Sequence, residues 1–461
     1  VHTYRVLAMA LAREGREMES LDMCCKALAM ILPKMFPRSF LKLHVKWEMQ
    51  TVRKLLNDNS DRKILGLPEM RNETRIQTTS LIVETSIRAF IRGKKTLALY
   101  CILCNIQLSF EHGLCSLHSE PFLGYGILMY GQYKNKEMGI RMSALAKKIM
   151  DKFDDNKESE ANVYFASCSF IDAWTLPSDK ILQTYQRAHE AALQSGNLEY
   201  GYRFLMYNIF CSYLFGFPLP EVQKASTEAM KQCVEYKTNY ILDQLSEIRF
   251  LFKHLIGPSP SGTEESTSAL HSGMDNLDWK IIQDFGIGED KEDKNGVRIL
   301  LGILSRLQLA VYYDELDVAL KLLQTVSGYM KLDTQYHTIT VRLCFGGLTA
   351  SGLFQKTRKR KHLLWARKLL SKIDATGGTN NKHRCLLIKA DLDSATVVKR
   401  GKYSTTSLVK LYDEAISSAL QFGCTQDAAL GSERAGRLFL NLDEKELTTK
   451  YFNQARDLYR K

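Results

Sequence analysis

The sequence predicts an all-α protein: a right-handed α-solenoid of stacked helical hairpins, with about 20 helices in all. Three observations carry that expectation. The first is proline scarcity, nine in 461 residues. A ring without an N–H breaks helices, so few prolines favour long helices and short connections. The second is an apolar stripe that recurs at helical spacing along the chain. The third is a repeated pairing of a bulky residue with Ala three positions on, which lets a neighbouring helix approach closely.

In chain order, Tyr4, Leu7, Ala8 and Leu11 make the packing face of a first helix, and Gly15 supplies the turn. Leu21, Cys24, Ala27, Leu28 and Ile31 make the stripe of a second, which Pro33 ends. This hairpin resembles a tetratricopeptide repeat nearly position by position, with Ala8 for the usual glycine and Ser20 for the usual alanine. Ile181, Leu182, Tyr185, Ala188, Ala192 and Leu193 repeat the design and Gly196 closes it. Arg306 to Val326 follows, with Asp314 in its turn, and Lys399-Arg400-Gly401-Lys402-Tyr403 reads as another hairpin turn. Leu408, Leu411, Tyr412, Ala415, Ile416, Ala419 and Leu420 fall at i, i+3, i+4, i+7, i+8, i+11 and i+12, with Gly423 as the stop. Leu447, Tyr451, Ala455, Leu458 and Tyr459 close the chain in the same way. The whole is thus a right-handed α-solenoid of degenerate tetratricopeptide-like helical hairpins. Connections are expected near Gly15, Pro33, Pro68, Gly113, Asp154, Pro177, Gly196, Phe217, Gly377, Gly401 and Gly423.

One stretch interrupts the pattern. Gly257 to Gly273 is poor in hydrophobics and rich in Ser, Pro and Gly, and the acidic run Gly288-Glu289-Asp290-Lys291-Glu292-Asp293 follows. It reads as a flexible surface insertion. The expected organisation is an N-terminal helical-repeat array over 1–256, an insertion or linker over 257–296, and a C-terminal array over 297–461.

The formal charge of +12 raises nucleic acid and anionic membranes as partners. The bases are spread along the chain, however, with one dense run at Lys356, Arg358, Lys359, Arg360 and Lys361. That run reads as a solvated helix connection or first exposed turn, with nuclear targeting or an acidic partner as the sharper alternative. No apolar run reaches the roughly 18 residues that cross a bilayer, so no membrane partner is expected. Eleven cysteines, scattered and odd in number, predict reduced and mostly buried thiols in a cytoplasmic compartment. The chain starts at Val1 without a signal-peptide pattern and is read as a segment whose start lies upstream. Asn72-Glu73-Thr74, a formal glycosylation sequon, carries little meaning in that compartment.

Catalytic signatures are missing. There is no Gly-x-x-x-x-Gly-Lys-Ser/Thr loop, and Gly124-Tyr125-Gly126 and Gly286-Ile287-Gly288 lack the third glycine of a dinucleotide turn. Cys101-x2-Cys104 followed by Cys115-x2-His118 has zinc-ligand spacing. The first pair lies inside the apolar run Leu97 to Phe110, though, where a cysteine serves as a small core residue. Asp154, Asp155 and Glu158 form an aspartate-rich stretch of the kind that holds magnesium in helical isoprenoid enzymes, but no second acidic motif faces it. An exposed turn is the expected reading there. His189, His337, His362 and His383 offer no triad and read as surface or satisfied core residues. No catalytic, cofactor-binding or metal-binding residue is therefore assigned. An all-helical metal-dependent enzyme built on Asp154, Asp155 and Glu158 is the alternative.

A wider likeness rests on the order of several stretches. They are Leu65-Gly66-Leu67-Pro68-Glu69-Met70, Leu108-Ser109-Phe110-Glu111-His112-Gly113 and Phe122-Leu123-Gly124-Tyr125-Gly126. Thr184 to Leu193 leads next into Gly196-Asn197-Leu198-Glu199-Tyr200, and Lys410 to Ile416 and Tyr451 to Tyr459 complete the series. In this order the chain resembles the helical region that follows the ATPase module in large STAND-type AAA ATPase signalling proteins, which also carry serine/threonine kinase, histidine kinase or cyclase domains. The insertion at 257–273 departs from that pattern. The resemblance implies a non-catalytic interaction and signal-coupling segment, without cofactors, whose partners are a protein or peptide in the concave groove and an ATPase upstream. Nucleic-acid binding is not expected.

Overall fold

The computed structural model describes residues 2–13, 16–33, 36, 40–153, 156–257, 296–329, 335–376, 378–399 and 404–460. Among them it is all-helical, with no strand and 21 helices. Among the described residues no helix is long and apolar enough to cross a membrane. The chain divides into two compact units, Val1–Asp172 with Arg187–Asn197, and Ala173–Gln186 with Leu198–Lys461.

The first unit holds α1 (His2–Arg13), α2 (Glu17–Ile31), α3 (Leu41–Asp58), α4 (Asp61–Leu65), α5 (Glu73–Ile91), α6 (Lys95–His112), α7 (Ser119–Gly131), α8 (Lys136–Phe153) and α9 (Lys157–Ser167). Neighbours in sequence pack as hairpins, α1 on α2, α5 on α6 and α7 on α8, while α3 lies on α6. The first hairpin buries Ala8, Leu11, Leu21, Cys24, Ala27 and Leu28 as its stripe requires, but leaves Leu7 44% exposed. Ser20 keeps the small position for a second reason: its hydroxyl donates to the Ala8 carbonyl at 2.6 Å. Gly15 lies outside the described residues.

Two of the stretches that carried the wider likeness meet in space. Met70 N–H donates to Leu114 O and Leu114 N–H to Pro68 O, each at 2.8 Å. Gly113 sits between them at φ +96, where an added Cβ would be 2.3 Å from the Pro68 carbonyl oxygen. Only glycine fits that crossing. Gly124 and Gly126 lie inside α7, not in a nucleotide turn. A Cβ on Gly126 would come within 2.9 Å of Met142 and 3.0 Å of Gly139 O, so this glycine lets α7 and α8 cross closely.

α10 (Ser178–Gln194) is shared between the units at Gln186/Arg187. The second unit continues with α11 (Leu198–Leu214), α12 (Leu219–Glu235), α13 (Asn239–Ile256), α14 (Gly296–Tyr312), α15 (Leu316–Val326), α16 (Tyr336–Thr357), α17 (Arg360–Thr376), α18 (Lys382–Lys399), α19 (Thr405–Gln421), α20 (Thr425–Asn441) and α21 (Lys445–Tyr459). Hairpins again pair α12 with α13, α14 with α15, α16 with α17, α18 with α19 and α20 with α21. Helices α14, α16, α18 and α20 also pack in series.

The units do not follow the expected boundary at 257–296. Helices α13 and α14, on either side of it, pack directly, and Arg306 Nη1 donates to Glu247 Oε2 across them at 2.8 Å. A chain segment can leave and re-enter a unit without dividing it when the flanking helices bury their stripes on each other. Gly257–Gly273 otherwise, the acidic run and Gly286-Ile287-Gly288 lie outside the described residues from 258 onward.

Candidate functional site

The polar chemistry of the second unit collects on its series helices. At the start of α20, Asp427 is 5% exposed. It accepts from Arg384 Nη2 at 2.7 Å and from His383 Nε2 at 2.8 Å, both from the start of α18. Arg384 also donates to Leu214 O at the end of α11 (2.7 Å) and to Asn381 Oδ1 (3.0 Å), while Gln426 donates to Tyr213 O at 2.9 Å. Beside these bonds Gly216, at φ +88, lies so close to Gly423 that a Cβ would be 2.4 Å from its carbonyl oxygen. One buried cluster thus joins the end of α11 to the starts of α18 and α20.

Burial alone would raise the Asp427 carboxyl. The Arg384 guanidinium and His383 outweigh it and hold the group below the usual carboxylate range. Burial pushes His383 down despite that carboxylate, so the imidazole is neutral. Burial also pushes the nearby Cys424 thiol up to about 12.

A second cluster lies midway along the same helices. Asp391, fully buried in α18, accepts from Arg434 Nε at 2.7 Å, Ser351 Oγ at 2.8 Å and Tyr412 Oη at 2.8 Å. Arg434 reaches on to Leu348 O at 3.1 Å. Next to it opens a cavity of about 460 Å³, walled by Leu316, Val398, Leu430 and Leu438 and ringed by Asp314, Lys356, Arg358, Glu433, Arg434 and Arg437. Helices α14, α16, α18 and α20 all end nearby, at Tyr312, Thr357, Lys399 and Asn441. Their terminal carbonyls attract cations. Arg358 accordingly donates to Ala395 O at 2.7 Å, while Lys356 and Arg437 share Asp314 at 3.2 and 2.5 Å, and Arg437 also binds Glu433 at 2.6 Å. The ring is therefore a set of ion pairs and helix caps, and its lining holds no nucleophile beside a base.

No family model matches the chain, and no curated protein matches it. What the site can do must be read from its own chemistry.

Of the potential metal donors, His383, Cys424 and Asp427 lie with their ligand atoms within 4.8 Å of one another, all buried. They do not fit a cation. The Asp427 oxygen already carries the Arg384 guanidinium, whose positive charge beside the site opposes a cation. The zinc-spaced set behaves differently. Cys115 and His118 do meet, Sγ to Nδ1 at 3.3 Å, but as a helix cap in which His118 Nδ1 accepts the Cys115 N–H at 3.1 Å. Cys101 and Cys104 sit in the buried side of α6 with thiols pushed up by burial, Cys104 to about 12. All four do not form one donor group among the described residues.

Asp154 and Asp155 lie outside the described residues. Glu158 opens α9, where Asn156 caps the helix by accepting the Ser159 N–H at 3.0 Å. The neighbouring acid Glu160, 5% exposed, binds Arg187 and Lys157 at 2.7 Å each. All four weighed histidines are buried. His337 packs between Tyr207 and Phe210, with ring centres 4.6 and 5.5 Å away, and burial pushes it down to about 3. The basic run does span a connection, since α16 ends at Thr357 and α17 starts at Arg360, but Lys356 and Arg358 fold back onto the cavity. The eleven cysteines are free thiols, buried or half-buried.

Sequence reasoning missed Arg384, Asp391, Asp427 and Arg434. A signal was present. Asp427, Gly431, Arg434 and Leu438 recur at i, i+4, i+7 and i+11, so two charges stand on an apolar stripe. Unlike charges on one buried stripe must be paired.

Proposed function

We propose that this chain is a non-catalytic interaction and signal-coupling segment of a larger ATPase or kinase signalling protein, built as a right-handed tetratricopeptide-like solenoid and working in the cytoplasm. The observation that supports it most is the use made of the buried charges. Each cluster ties three or more helices together instead of presenting a reactive group to a cavity. Such ties make helix packing cooperative, and a partner that favours one packing shifts the array as a whole.

The partner we propose is a protein or peptide, with an ATPase module upstream. In the second unit a groove occupant competes with the chain itself. Nearly every side chain of α16 from Tyr336 to Phe354 is buried, and the end of α11 seats on α18 and α20. Binding there therefore requires that cluster to open, which is how a partner would be coupled to packing.

The test is to express the chain with the reading frame that flanks it. The proposal expects a nucleotide-hydrolysing module upstream whose turnover changes when Arg384→Met loosens the cluster, while the 461-residue chain alone turns over no nucleotide. An ATPase rate indifferent to that variant would refute coupling. Magnesium or zinc that raised the melting temperature of the chain, and ceased to do so in Asp154→Ala/Asp155→Ala/Glu158→Ala, would favour the metal-dependent alternative.

A further inference from the structure

Helix α3 is apolar on two opposite sides. Val45, Met49, Val52 and Leu56 are the side that packs within the first unit, with Met49, Val52 and Leu56 buried. At about 100° per residue, Leu43 and Trp47 lie about 170° around the helix from the middle of that side. They are 61% and 63% exposed, and Phe40, which caps the helix, is 75% exposed. These three stand at i, i+3 and i+7 and form a ridge that the described chain leaves uncovered.

The charges next to the ridge are basic, and the one exposed acid of α3, Asp58, stands at its far end. Lys42, Lys46 and Lys54 are exposed and have no ion-pair partner among the described residues. The first turn holds no acid, and the one carboxylate between Phe40 and Asn57, Glu48, is buried and accepts from Gln107. A protruding aromatic ridge flanked by lysines, in a chain of net charge +12, is complementary to a surface that is fluid, apolar beneath and negative on top.

We propose that this face of α3 docks on an anionic lipid surface. The helix lies in the plane of the interface, with Phe40, Leu43 and Trp47 at the boundary between headgroups and acyl chains and the lysines against the headgroups. Tryptophan suits that depth because its ring is largely apolar while its N–H still finds water or a headgroup. Peripheral docking needs no spanning helix, so it is compatible with the lack of one among the described residues. The sequence expectation of no membrane partner rested on that lack alone.

The test uses the full chain and vesicles of phosphatidylcholine with about 30% phosphatidylserine. The expected result is co-sedimentation that weakens as salt rises, with a blue shift of tryptophan emission. Trp47→Phe removes the shift and keeps most of the binding. Leu43→Ser/Trp47→Ser lowers partitioning by at least about tenfold, and each lysine changed to Ser lowers it about fivefold. Because these side chains are exposed, the melting temperature should not move, which separates lost docking from lost folding.

Three results would overturn the proposal. One is no partitioning. Another is binding that follows the lysines, is indifferent to Leu43 and Trp47, and is matched by heparin, which would show a general polyanion surface. The last is a concentration-dependent dimer abolished by Leu43→Ser without vesicle binding, which would make the ridge an interface between two copies.

Discussion

Replacing Arg384 by methionine tests whether the cluster at the start of α18 holds the second unit together. The substitution keeps most of the side-chain length and removes the charge. It leaves the Asp427 carboxylate, 5% exposed, with His383 as its remaining hydrogen-bond donor, and takes the guanidinium donor from Leu214 O. Breaking one partner out of a buried pair costs about 3–5 kcal/mol. In a unit of this size that corresponds to a fall in melting temperature of order 10 °C.

Stability against pH gives a second, sharper reading. In the unaltered chain the Asp427 carboxyl is held below its ordinary 3.8. Its contribution is fully present above that value and is lost as pH falls through the folded pKa. Without Arg384, burial prevails and raises the carboxyl, so folding takes up a proton. The deficit of Arg384→Met against the unaltered chain should then shrink between pH 7 and pH 5. Adding Asp427→Leu removes the stranded charge and should recover about 2 kcal/mol at pH 7. Thermal unfolding by circular dichroism at several pH values reads all of this. A loss under about 1 kcal/mol, or a double variant no better than the single one, would refute the assignment.

Three further outcomes follow from the structure. Gly113→Ala places a Cβ 2.3 Å from Pro68 O at φ +96, and should cost the first unit about 2 kcal/mol or more in denaturant titration. Lys237→Gly relieves a lysine held at φ +57 between α12 and α13, and should raise stability by about 0.5–1 kcal/mol; a loss would mean the lysine side chain matters more than its backbone. His337, neutral in the fold with a pKa near 3 against an ordinary 6.5, contributes stability above pH 6.5 that is lost as pH falls toward the folded value. At pH 5 that amounts to about 2 kcal/mol, so His337→Phe should flatten the acid limb of the stability curve.

The connections show what was legible in the sequence. Gly113, Gly196 and Gly423 were expected as stops and do end helices at positive φ. The turns at Lys134, Lys237 and Asp443 were not expected, although each residue takes the same left-handed conformation near φ +57. Glycine announces that conformation by its identity, whereas a lysine is forced into it by the helices on either side. The stripes were legible for the same reason that glycine was: Leu408, Tyr412, Ala415, Ile416 and Ala419 are buried as their spacing requires, although Leu420 at the edge of the stripe is 45% exposed. Their partners were not, since periodicity gives the face a helix buries and says nothing of the face it meets.

That gap is where the buried charges act. The hairpins are unequal, with α15 spanning 11 residues and α16 spanning 22, so equal repeats stacked in fixed register cannot determine which helix meets which. Apolar stripes alone tolerate slippage by a turn. Asp427 tolerates none, because a shift of α20 by one turn would move its carboxylate about 5 Å from Arg384 and His383 and strand three polar groups in the core. Asp391 fixes the same helices again midway, through Arg434, Ser351 and Tyr412. Two such pins on one set of helices leave few arrangements between the native one and an open one. The coupling function we propose would draw on this, since helices pinned in this way shift in discrete steps and not continuously.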